Sequence, residues 1–277
     1  MRSLSKIGIF DSGIGGLTVA RAMEASLPGF SFVYFGDTAH LPYGEKSPDL
    51  IRKYASRIAS HLVDSGCSMV VVACNSASSN ALDAVRDVAG PDIPVLDVIS
   101  PVVQEVQKAQ AQLPSGHLRV GVIGTRATID SGIYQKALSA TGAEVHARST
   151  PLLASAIEEG FAHGEVSEAL LQAYFGDGHF DGVDLFVLGC THYPLISNQI
   201  SRYLPGTVRI LDTPSLVAHA AKQQLPMSLG LPSASKHAFY VSDLTATFAA
   251  GARQFFGEDV ALSACPIWRE TERSPSA

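Results

Sequence analysis

Two stretches of the chain share one design, VVVACNSAS at residues 70–78 and LFVLGCTHYP at residues 185–194. Each begins with an apolar run of strand length, reaches a cysteine through a small residue, and continues into polar residues before a helix-like segment. A buried strand that ends at a strand-to-helix turn would place Cys74 and Cys190 at the carboxyl edge of a parallel sheet, where open α/β proteins bind ligands. A helix N-terminus at that point lowers the pKa of a thiol. These two cysteines are therefore the candidate reactive groups.

The composition indicates a soluble globular protein with neither a nucleic-acid nor a membrane partner. The chain has 277 residues, of which 46% are hydrophobic and 17% are charged, and its mean hydropathy is +0.18. This length suffices for one large domain or two ordinary ones, and the apolar runs are too short to span a bilayer. The net charge of −6 and the isoelectric point near 5.8, without a Lys/Arg cluster, argue against nucleic acids and anionic membranes.

The cysteines and the N-terminal segment predict a cytoplasmic protein with free thiols. Four cysteines in a chain of this length do not make a disulfide framework, and no CxxC pair suggests a zinc site. A strand-like segment begins at Ile7, which leaves no room for a signal peptide. We therefore expect a reducing compartment and no metal. Cys67 and Cys265 lack the strand-to-turn setting, and we assign them no role.

Strand-like and helix-like segments alternate along the chain, which predicts an α/β fold with parallel sheets wrapped by helices. The predicted strands of the first unit are residues 6–10, 31–36, 68–73 and 94–98. One helix is expected between Cys74 and about Ala89. The tail from about Thr207 is expected to add strands and helices and to return to the first unit. A loop at residues 228–235 and a disordered end at residues 270–277 complete the prediction.

The second half of the chain repeats the first in outline. LRVGVIG at residues 118–124 resembles IGIF at residues 7–10. Asp11 lies 63 positions before the first cysteine of the pair, and Thr125 lies 65 positions before the second. This similarity suggests an internal duplication that gives two similar α/β domains, and chance similarity between strand-helix units is the alternative. The predicted domains are residues 1–98 together with 211–277, and residues 99–210.

The turn DSGIGG at residues 11–16 follows a strand and opens a helix, so its backbone N–H groups could bind an anion. It does not match the GxGxxG motif of dinucleotide-binding proteins, because after Gly13 and Gly15 the third glycine would be at position 18, which is Thr18. It also lacks the lysine of a phosphate-binding loop. We interpret it as a turn that suits a small carboxylate. The alternative is a glycine-rich turn in which Asp11 is only a cap.

A second polar loop, GDTAHLPYGE at residues 36–45, also follows a predicted strand and so lies at the same sheet edge. Pro42, Tyr43 and Gly44 form a turn with an aromatic side chain at its centre. Tyr43 is either a residue of the site or a tyrosine that only packs in a tight turn.

Two thiols that face each other across a cleft suit stereoinversion, in which one removes a proton from carbon and the other delivers a proton to the opposite face. A cysteine with an unperturbed pKa of about 8.5 is only a few per cent thiolate at pH 7 and needs help to act as a base. His192 could help Cys190 as a proton acceptor or as a nearby cation. Asp11 would raise the pKa of Cys74 by like-charge repulsion, so it either exchanges a proton or holds a substrate ammonium group.

Several stretches, in order along the chain, resemble the cofactor-independent aspartate/glutamate racemase family and, within it, the glutamate racemases. They are IGIFDSGIGGLTV (7–19), GDTAHLPYGEKS (36–47), VVACNSAS (71–78), GVIGTRATIDSGIY (121–134) and LGCTHYPLI (188–196), with FYVSD (239–243) as an extension. The resemblance implies two α/β domains with pseudo-twofold symmetry and an active site in the cleft between them. It implies interconversion of L- and D-glutamate for peptidoglycan synthesis in a bacterial cytoplasm, without pyridoxal phosphate or metal. The family is often dimeric, which adds a homodimer to the expectations.

The same resemblance implies roles for individual residues. Cys74 and Cys190 would be the acid/base thiols, with Asp11 and His192 as their respective helpers. The residues implied in substrate binding are Ser12, Pro42, Tyr43, Gly44, Asn75, Ser76, Thr191, Thr125 and Thr128, with Glu158 in a supporting role. The family usually has threonine at position 76, and because serine keeps the hydroxyl we expect only a modest change in affinity. Related aspartate racemases tend to carry a carboxylate at position 192, so His192 favours glutamate over aspartate.

Three other functions stay open on the sequence alone. Another member of the two-cysteine group would act on aspartate, hydantoins or maleate. A cysteine hydrolase would use Cys190 and His192 for covalent chemistry and leave Cys74 dispensable. A bilobed binding protein would hold its ligand without needing either thiol.

Overall fold

The computed structural model describes residues 6–113, 116–225, 237–257 and 260–268. The loop predicted at 228–235 and the disordered end predicted at 270–277 lie outside these residues. Within the described ranges the chain forms ten strands, twelve α-helices and two short 3₁₀ turns. No helix in these ranges is both long enough and apolar enough to cross a membrane.

The strands form two sheets in which every pairing is parallel. They are β1 (Lys6–Asp11), β2 (Ser31–Gly36), β3 (Met69–Val72), β4 (Val95–Asp97), β5 (Arg119–Gly124), β6 (Glu144–Ser149), β7 (Leu185–Gly189), β8 (Arg209–Ile210), β9 (Ala238–Val241) and β10 (Leu262–Ala264). The first sheet has the strand order β10-β9-β2-β1-β3-β4, and the second has the order β6-β5-β7-β8. The predicted α/β fold with parallel sheets is confirmed.

Helices connect the strands and cover both faces of the first sheet. They are α1 (Leu17–Ser26), α2 (Pro48–Asp64), α3 (Asn75–Asn80), α4 (Leu82–Ala89), α5 (Ser100–Ala111), α6 (Arg126–Asp130), α7 (Ile133–Ser139), α8 (Pro151–Glu158), α9 (Glu165–Phe175), α10 (Ser197–Ser201), α11 (Thr213–Gln224) and α12 (Ala246–Phe256). Neighbouring residues of β1 point to opposite faces. Ile7 and Ile9 pack in the core that contains α1, whereas Phe10 packs in the core that contains α2. Strands buried on both faces explain the continuous apolar runs in the sequence.

The two sheets share one strand order. In the first sheet β2-β1-β3-β4 are neighbours, and in the second β6-β5-β7-β8 are neighbours, so each unit places its strands in the order second, first, third, fourth. Cys74 comes shortly after β3 and Cys190 directly after β7, which are the third strands of their units. This common order is the arrangement that an internal duplication produces.

The tail of the chain is divided between the two sheets. β8 pairs with β7 in the second sheet, whereas β9 pairs with β2 in the first sheet and β10 extends it further. Helices α11 and α12 both pack against α1. The return to the first unit therefore begins after β8, which ends at Ile210. The domain boundaries after residues 98 and 210 stay a prediction.

The segment after Cys74 forms two helices instead of the single helix predicted to about Ala89. The break lies at Ala81, whose φ of −137° and ψ of 6° leave the helical region. The side chains of Ser79 and Asn80 donate to carbonyl oxygens four residues earlier, at 2.8 and 2.9 Å. Because such side-chain bonds compete with the helical ladder and bend it, α3 ends after six residues.

The close approach of β2 to the first turn requires glycine at position 36. A Cβ atom at Gly36 would lie 2.1 Å from the carbonyl oxygen of Gly13, which is a backbone atom that cannot rotate away. We expect Gly36→Ala to lower the free energy of unfolding by about 3 kcal/mol, measured by urea denaturation with circular dichroism. Gly206→Ala is the matched control, because nothing lies within 4 Å of its added Cβ. Equal stability of the two variants would contradict the prediction.

Candidate active site

The carboxyl edges of the two sheets face each other across one cavity with an empty volume of about 370 Å³, part of which opens to solvent. Seven lining residues come from segments that follow β1, β2 and β3, and seven come from the second unit. The lining residues are Ser12, Pro42, Tyr43, Gly44, Cys74, Asn75, Ser76, Thr125, Ala154, Glu158, Gly189, Cys190, Thr191 and His192. The two cysteines of the repeated motif therefore share one cavity and enter it from different sheets.

Cys74 lies at the N-cap of α3 and is 4% exposed. Burial is the main cause that raises the pKa of its thiol, and the charge of Asp11 is the second. Hydrogen bonds from Ala77 and Ser12 offset part of this rise. The sequence predicted that a helix N-terminus would lower the pKa at this position. Burial and the neighbouring carboxylate outweigh the helix, so Cys74 holds its proton at neutral pH.

Cys190 belongs to a chain of three polar groups on the other side of the cavity. Its Sγ lies 3.6 Å from Nδ1 of His192, and Nε2 of His192 donates to Oε1 of Glu158 at 2.7 Å. Burial by itself would lower the pKa of His192, but its interactions with Cys190 and Glu158 outweigh burial and raise the pKa well above its usual value. The raised pKa favours the protonated form of His192, and its ring lies against the sulfur of Cys190.

Asp11 ends β1 and is completely buried directly behind the cavity wall. Its Oδ2 accepts the backbone N–H groups of Gly16 at 2.9 Å and of Gly13 at 3.4 Å. Within the described residues its Oδ1 has no hydrogen-bond partner. Burial raises the pKa of Asp11, and His192 and the backbone donors offset part of that rise. A buried carboxylate oxygen without a donor is costly, so this atom is suited to a donor supplied by a ligand.

Hydroxyl groups of both units meet in one cluster at the cavity wall. Ser76 Oγ lies 2.9 Å from Oγ1 of Thr125 and 3.3 Å from Oγ1 of Thr128, and the two threonine hydroxyls lie 3.0 Å apart. Thr125 also caps α6 by accepting from the backbone N–H of Thr128. Thr128 itself is buried behind the wall, and its hydroxyl contacts the hydroxyls of Ser76 and Thr125, which line the cavity.

A tyrosine of the second unit orients the amide of Asn75. The hydroxyl of Tyr134 donates to Oδ1 of Asn75 at 2.8 Å, and the Tyr134 ring is completely buried. Because the amide oxygen is occupied by this bond, the amide N–H₂ group of Asn75 is the part available to a ligand.

The structure brings twelve of the fourteen predicted site residues to the cavity wall. The exceptions are Asp11 and Thr128, which lie one layer behind it. Ala154 and Gly189 line the cavity without having been predicted. Gly189 immediately precedes Cys190 and so had a signal in the sequence. Ala154 lies on α8, as the predicted Glu158 does, but no motif in the sequence marked Ala154 itself.

A larger and more open cleft of about 860 Å³ lies between the end of β7, α10 and the start of α11. Leu188, Pro194, Asp212 and Pro214 are among its lining residues, and neither cysteine of the repeated motif is. Its lining offers no acid/base pair comparable to that of the smaller cavity. The cavity between the sheets is therefore the candidate active site.

The ion pair between His192 and Glu158 can be tested directly. We expect Glu158→Gln to lower the pKa of His192 by about one unit or more, because the variant keeps the shape of the side chain but removes its charge. The measurement is a pH titration of the histidine side chains by two-dimensional ¹H–¹⁵N NMR. Glu159→Gln is the control, since Glu159 is exposed on the same segment and should leave the titration unchanged.

Comparison with known proteins identifies the family of the chain. A sequence profile described as Asp/Glu/Hydantoin racemase matches residues 16–221. The glutamate racemase of Geobacter metallireducens is 40% identical over 256 residues, which cover 91% of this chain and 92% of that protein. The crystal structure of the Francisella tularensis glutamate racemase in complex with D-glutamate superposes with a TM-score of 0.86 at 33% identity, covering 96% of this chain and 99% of that one. The Aquifex pyrophilus glutamate racemase gives a TM-score of 0.78 at 36% identity, with 94% and 98% covered. The chain therefore belongs to the Asp/Glu/Hydantoin racemase family, whose reactions are isomerisations.

Proposed function

We propose that the protein is a glutamate racemase that interconverts L- and D-glutamate by a two-base mechanism without a cofactor. One observation carries the proposal: two cysteines from equivalent positions of two sheets line the same small cavity. The similarity to glutamate racemases over more than nine-tenths of the chain supports the choice of substrate.

The two sulfur atoms have different neighbours, since Asp11 lies near Cys74 and His192 lies against Cys190, and the proposal gives them opposite roles. The Cys190 thiolate takes the α-proton of one enantiomer, so that the Cα–H bond breaks and its electron pair stays on the substrate as a carbanion. The Cys74 thiol then gives its proton to the opposite face, which forms a new Cα–H bond and leaves a thiolate at Cys74. The reverse reaction uses the cysteines in exchanged roles, and proton transfer between positioned groups of this kind contributes about 10²–10⁴-fold to a rate.

Asp11 is the proposed ligand of the substrate ammonium group. Its Oδ1 is buried without a donor in the described part of the chain, and the neighbouring residue Ser12 lines the cavity. An ammonium group at this point would supply the missing hydrogen bond and a compensating positive charge. The alternative role, exchange of a proton with Cys74, draws support from the raised pKa of Asp11.

Neutral polar groups are the proposed ligands of the substrate carboxylates. The cavity wall within the described residues contains neither lysine nor arginine. The proposed binding residues are Ser12, Pro42, Tyr43, Gly44, Asn75, Ser76, Thr125 and Thr191, with Thr128 and Glu158 acting through their hydrogen-bonded neighbours. The amide N–H₂ group of Asn75 at the cavity wall and the hydroxyls around Ser76 are donors of the kind that bind carboxylates.

The biological role is part of the same proposal. D-Glutamate made here would enter peptidoglycan synthesis, and the protein would be a cytoplasmic homodimer, as the family resemblance implies. All four cysteines are free thiols, which agrees with a reducing compartment.

The two-base mechanism can be tested by racemisation in deuterated water. We expect solvent deuterium at the α-carbon of the product enantiomer, because the proton that is delivered comes from a thiol that exchanges with solvent. Cys74→Ala and Cys190→Ala should each lower the rate of racemisation by about 10³-fold or more. The readouts are circular dichroism of the amino acid and mass spectrometry of the α-position.

The control variant is Cys67→Ala, whose thiol is buried away from the cavity and which should racemise at the wild-type rate. Full activity of either cavity variant would contradict the two-base mechanism. A cysteine hydrolase built on Cys190, His192 and Glu158 would instead give a trapped acyl-enzyme and would tolerate Cys74→Ala.

Substrate choice can be tested by comparing enantiomers of two acidic amino acids. We expect L-glutamate to invert at least about tenfold faster than L-aspartate, because a difference of one methylene in a fitted site is worth 10–200-fold in kcat/KM. Polarimetry with each L-acid at equal concentration measures the ratio. Faster inversion of L-aspartate would assign the protein to another branch of the family.

A further inference from the structure

A buried carboxylate lies behind the cavity wall and belongs to none of the groups described so far. Asp37 follows β2, is completely buried and does not line the cavity. Its Oδ2 accepts from the hydroxyl of Tyr43 at 2.6 Å. Its Oδ1 accepts from the hydroxyl of Ser242 at 2.8 Å and from the indole N–H of Trp268 at 2.9 Å. His40 Nδ1 lies 3.0 Å from both oxygens.

These donors come from three separate segments of the chain. His40 and Tyr43 belong to the loop after β2, Ser242 follows β9, and Trp268 lies beyond β10. A buried carboxylate is tolerated only when donors satisfy it, so its position is set jointly by all three segments. The C-terminal segment is thereby connected to a loop of the cavity wall.

Tyr43 transmits this arrangement to the cavity. Its ring is completely buried and lines the cavity, and its hydroxyl is held by Asp37. The next residue, Gly44, packs so closely on the second unit that an added Cβ would lie 2.6 Å from Cβ of Thr125. A small displacement of Tyr43 would therefore change the width of the cavity between the two units.

Trp268 also belongs to a cluster of aromatic side chains next to Asp37. Its ring meets the ring of His40 edge-on at 4.6 Å and that of Tyr54 at 5.4 Å. His40 stacks on Tyr54 at 4.2 Å, and Tyr54 contacts Tyr43 at 5.7 Å. The indole thus holds the loop both by a hydrogen bond to Asp37 and by packing against the neighbours of Tyr43.

We propose that Trp268 is a positioning residue of the active site: acting through Asp37, it holds Tyr43, and with it Pro42 and Gly44, at the distance from the second unit that the substrate requires. This inference rests on the proposed function, because Tyr43 is taken as part of the substrate-binding wall.

The first test separates the hydrogen bond from the packing. Trp268→Phe keeps an aromatic ring but removes the N–H donor, so KM for glutamate should rise about fivefold, since hydrogen bonds to charged groups are among the stronger ones. The value of kcat should change by less than about twofold, because the sulfur atoms stay in place. Ile267→Val is the matched control: it alters packing in the same segment, and Ile267 is not among the donors to Asp37.

A double-variant cycle tests whether the effect passes through Asp37. If it does, Trp268→Phe should add nothing to the KM of Asp37→Ala, because the oxygen that accepts the indole N–H is already gone. Full additivity of the two effects would overturn the proposal. So would an unchanged KM in Trp268→Phe, or an equal rise in Ile267→Val.

The wild-type protein provides a second measurement that does not depend on the folding of any variant. Trp268 is the only tryptophan in the chain, so the tryptophan emission of the protein reports on this residue alone. We expect D-glutamate to produce a saturable change in that emission, and a constant emission at saturation would overturn the proposal. Failure of the proposed function is distinguishable, because the wild-type protein would then not racemise glutamate at all.

Discussion

A parallel sheet brings the carboxyl ends of all its strands to one edge, and the structure depends on two such edges facing each other. Residues that follow β1, β2, β3, β5 and β7 must then lie around a common space, however far apart they are in the chain. The same arrangement buries most of the side chains around that space. Burial raises the pKa of Cys74 and of Asp11, whereas at His192 the interactions with Cys190 and Glu158 outweigh burial and raise the pKa.

The two units repeat a strand order but differ in the chemistry at the cavity. On one side, burial and Asp11 keep the proton on Cys74. On the other side, Cys190 and Glu158 raise the pKa of His192, whose ring lies between them. The two thiols therefore have different neighbours, a carboxylate for Cys74 and an imidazole for Cys190. Their backbone settings differ as well, because Cys74 is the N-cap of α3 whereas His192 caps the short turn that follows Cys190.

Groups behind the wall determine how the wall itself is arranged. Tyr134 orients the amide of Asn75, and Thr128 completes the hydroxyl cluster that joins the two units. Asp37 does the same for Tyr43. Each of these contacts satisfies a polar group that burial would otherwise leave without a partner. The precision of the cavity therefore comes from a second layer of hydrogen bonds, much of which crosses between segments distant in sequence.

The sequence by itself determined the class of fold and most of the cavity wall, because those features follow from local patterns. Apolar runs of strand length and the turns after them identify Cys74, Cys190 and the polar residues beside them. The end of α3 after six residues depends on side-chain hydrogen bonds of Ser79 and Asn80, which the pattern of apolar residues does not reveal. The tertiary structure alone decided that Trp268 would reach Asp37 across 231 positions of the chain, because a buried carboxylate takes its donors from whichever segments fold against it.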